Sequence, residues 1–391
     1  MKILLIHNSY INHGGEDTTV MNLNKLLNKY SFKTKIYKED NKTIKSIYDK
    51  FIVFFTSIYS FRSKKKFEKI IDEFQPSIIQ IHNTFPLIST SILFSKKSKN
   101  IPIVCYLHNY RFICGSSLLN SENSCCEKCG GNFFKAILNK CYHSSFIGSF
   151  ALALNNLINK HIFKSWIKKV DTFVLMNKKN MKYYQQYGIP KEKIIHKYHF
   201  TFMNEKFISN EETYALYVGE FSKKKGLHTL LKAWNGINHK LKIIGRFKSN
   251  EPEIEGLLKN TKSNVELLGE IKYSEIAKYY SRANVIIFPT EWNEPFGNVI
   301  MESFANSTPV ITTNIEPIKE IATDGYNSLF FEKGNAEDLK RVIINFYAND
   351  DLKIKLSENA FLTYKKKFSP EKNIEDIRKI YSNAKMQKSV N

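Results

Sequence analysis

The chain lacks any apolar run approaching the roughly 20 residues that a bilayer-spanning helix needs. Its two most apolar windows, FIVFFTSIY (Phe51 to Tyr59) and SFIGSFALALNNLI (Ser145 to Ile158), both fall short. Each is expected to be a core helix, the alternative being a basic amphipathic element lying in a membrane interface. The opening MKILLIHNSY has too short an apolar run for a secretory signal and no small-residue cleavage site, so the expected place is the cytoplasm. Low-complexity linkers are missing as well, and acids are scarce. The 37 Asp and Glu stand against 59 Lys and Arg, a net charge of +22. That excess suits an anionic partner: nucleic acid, a membrane surface or a phosphorylated substrate. The charge is spread as short runs such as Lys64 to Lys66 and Lys223 to Lys225, so ordinary solvated surface is the competing explanation.

Cysteine is confined to one window, between Cys105 and Cys141. Cys114, Cys126, Cys129 and Cys141 form a C-x11-C-x2-C-x11-C array in a stretch rich in Ser, Asn and Gly. Thiolates at such spacing can share one tetrahedral zinc ion, so a structural zinc is expected there, with ordinary reduced thiols as the alternative. Cys105, inside a strand, reads as a small core residue.

A length of 391 residues exceeds what one core usually supports, which implies two domains. Short β-branched runs alternate with helix-period segments throughout, the pattern of parallel sheets wound with helices, an α/β class. The first half reads KILLIHN, KTKIYKE, SIIQIHN, IPIVCYLHN and TFVLMN as strands, with a last strand in QYGIPKEKIIHKYHF. The second restarts with YALYVGEF, KLKIIGRF, VELLGEI, NVIIFPT, PVITTN and SLFFEK. The expected division is 1–205 and 206–391, the Cys-rich loop 114–141 in the first half and the final helix packing back on it. Two such domains would face each other across a central cleft, with ligands beyond the carboxyl ends of the strands.

One loop carries the densest chemistry. In EWNEPFGNVIME, NVIIFPT ends as a buried strand and NVIMESFAN begins a helix. Phe296, Gly297 and Asn298 therefore fall at a helix start, whose free amides and dipole favour an anion. Glu294 and Glu302 bracket seven residues, roughly 12 Å apart if mostly helical. The carboxyl pair of a retaining glycosidase stands about 5 Å apart, and that of an inverting one up to roughly 9.5 Å. The wider spacing suits an extended ligand with hydroxyls at both ends and an anion between, the shape of a nucleotide sugar. The alternative makes Glu294 a helix cap and Glu302 a solvent-facing helix residue.

The EPFGNVIME stretch resembles the signature of the family 4 retaining glycosyltransferases, whose GT-B architecture pairs two Rossmann-like domains. HNSYINHGGEDTTV, IIQIHNTFPLIS, IPIVCYLHNYRFIC, YVGEFSKKKGLHTLLKAW, LKIIGR, VELLGEI and TDGYNSLFF extend the likeness over nearly the whole chain, closest to enzymes of capsular, exopolysaccharide and lipopolysaccharide synthesis. The resemblance implies that Glu294 holds the donor sugar's hydroxyls and Glu302 the ribose. Lys225, with Gly219 before it, would neutralise the diphosphate, and His108 would stand near the sugar's reactive face. Taken alone, His108 reads as a satisfied buried histidine. Gly14 and Gly15 would let the backbone approach the donor phosphates, although a plain turn is the usual meaning of two glycines. His82 and Asn83 would shape the acceptor side. Two positions depart from the family: Glu220 stands where an Arg is usual, and Ser307 where Gly is. A carboxylate at 220 would repel a diphosphate, so Lys223, Lys224 or Arg246 is expected to supply the missing charge.

The implied reaction is hexosyl transfer from a UDP- or GDP-sugar to a saccharide or lipid-linked acceptor, with retention and with no divalent ion required. Such an acceptor would give the basic charge a use at the inner face of an anionic membrane. The rivals are a nucleotide-sugar epimerase on the same fold and a zinc-containing nucleic-acid-binding protein. Acids at the strand ends argue against a polyanion groove.

Overall fold

Two six-stranded parallel sheets carry the fold. The computed structural model describes the chain apart from residues 12, 13, 118, 122, 123, 127, 128, 130–132, 143, 203–212, 248, 293 and 391. The strands of the first sheet are β1 (Lys2–Ser9), β2 (Lys33–Asp40), β3 (Ile78–Ile81), β4 (Ile103–Leu107), β5 (Thr172–Leu175) and β6 (Ile194–His196). Those of the second are β7 (Tyr214–Val218), β8 (Leu241–Ile244), β9 (Val265–Gly269), β10 (Ala283–Phe288), β11 (Val310–Thr313) and β12 (Ser328–Phe331). All twelve coincide with runs expected from the sequence. Central strands such as β3, β4, β5 and β11 are buried at every position, because helices cover both faces of a parallel sheet and no polar alternation survives.

The first sheet runs in the order β2-β1-β3-β4-β5-β6 and the second β9-β8-β7-β10-β11-β12. The second is thus the third-second-first-fourth-fifth-sixth order of a doubly wound nucleotide fold, whose ligand crevice opens between the first and fourth strands. Here those are β7 and β10. In the first sheet the reversal falls between β1 and β3.

The chain forms two compact units. The first contains Met1–Ser121, Cys126–Lys197 and Ile374–Asn391, and the second is built on Tyr198–Asn373. The junction expected at 205/206 lies outside the described residues. The C-terminal helix Pro370–Val390 gives all but its first turn to the first unit. There Tyr381 packs edge-on to Phe32 and donates to Gln80, while Lys388 faces Asp171 at 3.5 Å.

The two apolar windows depart from the expected core helices. Ile47–Thr56 is a helix with no buried residue at all. Phe146–Leu157 buries Leu152, Ala153, Asn155 and Asn156 on one side but leaves Phe146, Ile147, Phe150 and Leu157 exposed on the other. Composition identifies an apolar helix but not what covers it.

Candidate active site

The second unit gathers its chemistry where β7 and β10 end. After β7 the chain passes Gly219 and a short turn, Lys223–Lys225, then enters the helix Leu227–Ala233 through Gly226. Gly226 has φ +70°, and a Cβ there would stand 1.8 Å from the Pro289 carbonyl oxygen that follows β10. Only glycine lets the two strand-end loops approach so closely. This packing brings Lys225 Nζ to 2.7 Å from Glu294 Oε2, with the ammonium 4.8 Å over the Trp292 ring. Both side chains are mostly shielded, 18% and 13% exposed, so the pair is charge-assisted in a partly desolvated setting.

Glu291, the first letter of the same loop, was not singled out from sequence. It accepts from Thr229 Oγ1 at 2.6 Å, and its amide donates to the Lys224 carbonyl at 2.9 Å. It thereby ties the β10 loop to the Lys223–Gly226 turn. Its only sequence signal was an acid at a strand end.

The cations expected to replace the family arginine are each engaged by an acid. Lys224 Nζ lies 2.8 Å from Glu220 itself, Lys223 is 2.7 Å from Glu253, and Arg246 is 2.7 Å from Glu270. The departure at Glu220 is therefore compensated locally, by Lys224 four residues on, and Lys223 and Arg246 serve other partners. Of the expected cations, Lys225 is the one whose partner is a motif glutamate.

Gly297, at φ +93°, precedes the helix Asn298–Ala305 without a side-chain cap. The opening amides of a helix have no intrahelical acceptor. Glu294 is thus no cap, and Glu302 is not solvent-facing: it is 9% exposed and accepts from Tyr280 Oη at 2.9 Å. Burial pushes its carboxyl up to about 7, against the pull of the Tyr280 hydroxyl. Phe296 is buried with its ring 4.8 Å from that of His199, whose Nδ1 lies 3.0 Å from Asn298 Oδ1. His199 also escaped the sequence reading. Ser307 adopts φ +60°, the left-handed conformation that glycine takes freely.

In the first unit the residues at the strand ends form a hydrogen-bonded chain. Tyr381 Oη donates to Gln80 Oε1 (2.6 Å), Gln80 Nε2 meets His82 Nε2 (2.8 Å), and His82 Nδ1 meets His108 Nε2 (2.7 Å). The amide nitrogen can only donate, so His82 carries its proton on Nδ1 and offers it to His108. His82, Asn83 and His108 together line a cavity of about 60 Å³. Asn83 is a loop anchor, donating to the Asn8 carbonyl and accepting from the Phe85 amide and from Arg111. The Gly14 amide is already given to Asp17 Oδ2 at 3.0 Å, and Asp17 Oδ1 is 2.8 Å from His7 Nε2. Gly15 opens the first helix, followed by Glu16, whose carboxyl burial pushes up.

The family model for glycosyl transferases group 1 matches residues 200–363. An uncharacterized glycosyltransferase of Methanocaldococcus jannaschii is 31% identical over 269 residues, covering 68% of this chain and 75% of that protein. The chain belongs to the group 1 glycosyl transferases. The capsular polysaccharide biosynthesis glycosyltransferase CapM of Staphylococcus aureus is 28% identical over 206 residues, 51% of this chain and 52% of CapM. The structure of Anabaena HepE in complex with UDP and glucose shares the fold, with TM-score 0.66 and 15% identity over 98% of this chain and 99% of that one.

For this glycosyltransferase the non-enzymatic rival no longer applies. Among the described residues no three of His, Cys, Asp and Glu are placed to hold a metal ion. Cys114 Sγ contacts the Ser116 hydroxyl at 3.2 Å, while Cys129 and Cys141 pack against Phe133, Ala136 and Ala153. Burial, with the neighbouring thiols of Cys114, Cys126 and Cys141 adding to it, pushes Cys129 up to about 11.

Proposed function

We propose that this glycosyltransferase moves a hexosyl unit from a UDP- or GDP-sugar to a saccharide or lipid-linked acceptor, with retention at the anomeric carbon, in the building of surface polysaccharide. The observation that carries the reading is the Lys225–Glu294 pair at the crevice between β7 and β10. On donor binding, Lys225 meets the diphosphate and Glu294 accepts from the sugar hydroxyls. The amides of Phe296, Gly297 and Asn298 face the anion, and Glu302 takes the ribose. Negative charge grows on the departing diphosphate as the bond to the sugar breaks, and a fixed ammonium stabilises that charge more than it stabilises the ground state. Lys225 and the helix amides supply the needed positive field, so the reading calls for no divalent ion, and EDTA should leave turnover unchanged.

His108, poised by His82, is assigned to the sugar's reactive face. The motif offers no enzymic nucleophile. Attack therefore comes from the same face as departure, with the leaving phosphate accepting the acceptor's proton. HepE, whose structure holds UDP and glucose, supports a uridine donor, and CapM, named for capsular polysaccharide, supports the product class. A thermal-shift panel of nucleotide sugars is the first test, since a donor that binds only the folded state must raise the melting temperature. NMR of the product's anomeric centre follows. No stabilisation by any nucleotide sugar, or an inverted product, would sink the reading.

A further inference from the structure

Arg111 follows His108 by three residues and lines the same cavity of about 60 Å³ in the first unit. The loop around it fixes the side chain. The Arg111 amide donates to Asn109 Oδ1 at 3.0 Å, Nη1 donates to Asn83 Oδ1 at 3.0 Å, and the guanidinium carbon stands 4.9 Å over the Phe85 ring. One face of the plane and one corner of the fork are thereby used. Nε is different: it is buried and donates to nothing among the described residues. A buried donor without an acceptor is costly, more so on a charged group, so a guanidinium held in this way has a use for an acceptor from outside.

Its charge is as poorly matched as its hydrogen bonds. Among the described residues lining the cavity, Arg111 is the one Lys or Arg, and none is Asp or Glu. The acid that feels its charge is Glu16, outside that lining. Burial pushes the Glu16 carboxyl up, against the pull of His7 and Arg111. Its Oε2 is already taken, accepting from Tyr10 Oη at 2.9 Å and from Asn109 Nδ2 at 3.4 Å. Glu16 is therefore drawn toward its neutral form and cancels little of the cation.

We propose that Arg111 receives a carboxylate on the acceptor, so that the acceptor unit is an acidic sugar of the uronic type. Charge selects this group: one guanidinium matches one carboxylate, whereas a phosphate monoester brings about −1.5 to −2 and would need a second cation. Shape selects it too. A guanidinium edge offers a carboxylate two parallel N–H bonds in one plane, and the edge that Asn83 leaves is the one carrying Nε. The cavity admits a handful of water-sized groups at roughly 10–15 Å³ each, room for a carboxyl group and the ring carbon that bears it. His82 and His108 share the lining, so an acid held by Arg111 anchors the acceptor beside the histidine assigned to the sugar's reactive face. That choice rests on the transfer reaction proposed above and narrows its saccharide acceptor, but binding is measured without donor.

The test is isothermal titration calorimetry of the full chain with methyl glucuronide, its uncharged amide and methyl glucoside 6-phosphate. Wild type should bind the glucuronide about tenfold or more tighter than the amide. Arg111→Gln should bring the two ligands to within about twofold of each other. Arg111→Lys keeps the charge and loses the planar fork, and should lower the ratio at least about threefold. It carries the test alone if the glutamine variant fails to fold by circular dichroism. Equal binding of glucuronide and amide, no binding of either, or a ratio that neither variant changes would overturn the proposal. Tighter binding of the 6-phosphate would overturn the choice of carboxylate. UDP titrated into the same wild-type sample separates the two readings: UDP binding without a glucuronide preference sinks this inference alone, and a glucuronide preference without UDP binding sinks the donor reading alone.

Discussion

Lys225 and Glu294 lie 69 residues apart in sequence and meet at 2.7 Å, each holding the other where a phosphate and a sugar hydroxyl are proposed to go. A partly exposed pair of this kind contributes about 1 kcal/mol or less to stability, so its value lies in positioning charge. Lys225→Gln and Glu294→Gln should each lower kcat/KM by about 10² to 10³ with the melting temperature nearly unmoved. Steady-state kinetics beside a thermal melt would check this, and a large loss of stability with activity retained would assign the pair to folding.

Glu302 gives a pH dependence of defined sign. Its carboxyl stands near 7 in the folded chain against an ordinary value of 4.5, chiefly through burial. Between those values the folded state holds a proton that the unfolded state has released, so this group's contribution is full below pH 4.5 and is lost as pH rises through 7. Glu302→Gln removes the slope. Relative to wild type, the variant should gain roughly 3 kcal/mol between pH 4 and pH 8, measurable by urea unfolding across that range.

The chain from Tyr381 through Gln80 and His82 to His108 sets a tautomer, with the neutral His108 ring carrying its hydrogen on Nδ1. Tyr381→Phe frees the Gln80 amide to turn over and offer its oxygen to His82. We expect kcat to fall with KM unchanged, because a His108 ring in the wrong tautomer is misplaced against the reacting sugar. Nitrogen-15 histidine spectra should show Nδ1–H at His108 in wild type and a mixture in the variant. Identical spectra in the two proteins would remove the positioning role.

Two glycines should respond oppositely to alanine. Gly226→Ala would drive a methyl into the Pro289 carbonyl at 1.8 Å with φ at +70°, and is expected to cost about 3 kcal/mol or more. Gly256, inside the helix Pro252–Lys259, has nothing within 4 Å of its would-be Cβ. Gly256→Ala should stabilise by about 0.5 to 1 kcal/mol. Chemical denaturation of the two variants tests both signs.

Much of the architecture was legible because buried parallel strands announce themselves as short β-branched runs. The EPFGNVIME loop was legible because its Gly, Pro and two acids stand at a strand end, where ligands bind in such sheets. Partnerships were less legible. That Glu302 lies under Tyr280 depends on the packing of the helix Tyr273–Arg282 against its own, which a periodicity argument for one helix does not contain. The exposure of Phe51 and Phe55 was hidden for the same reason, since an apolar helix reads alike whether or not something covers it. What Cys114, Cys126, Cys129 and Cys141 touch was not legible either, since spacing reports separation along the chain and not the Ser116 hydroxyl or the apolar neighbours that the sulfurs meet.

The assignment of Ile374–Asn391 to the first unit bears on how the molecule is born. Nascent domains ordinarily mature in the order in which they leave the ribosome. Here Tyr381, the buried cap over Phe32 and Gln80, emerges only after the whole second unit has been translated. The half that is made first is therefore completed last, and a stop codon just ahead of Ile374 would injure the amino-terminal half more than the carboxy-terminal one.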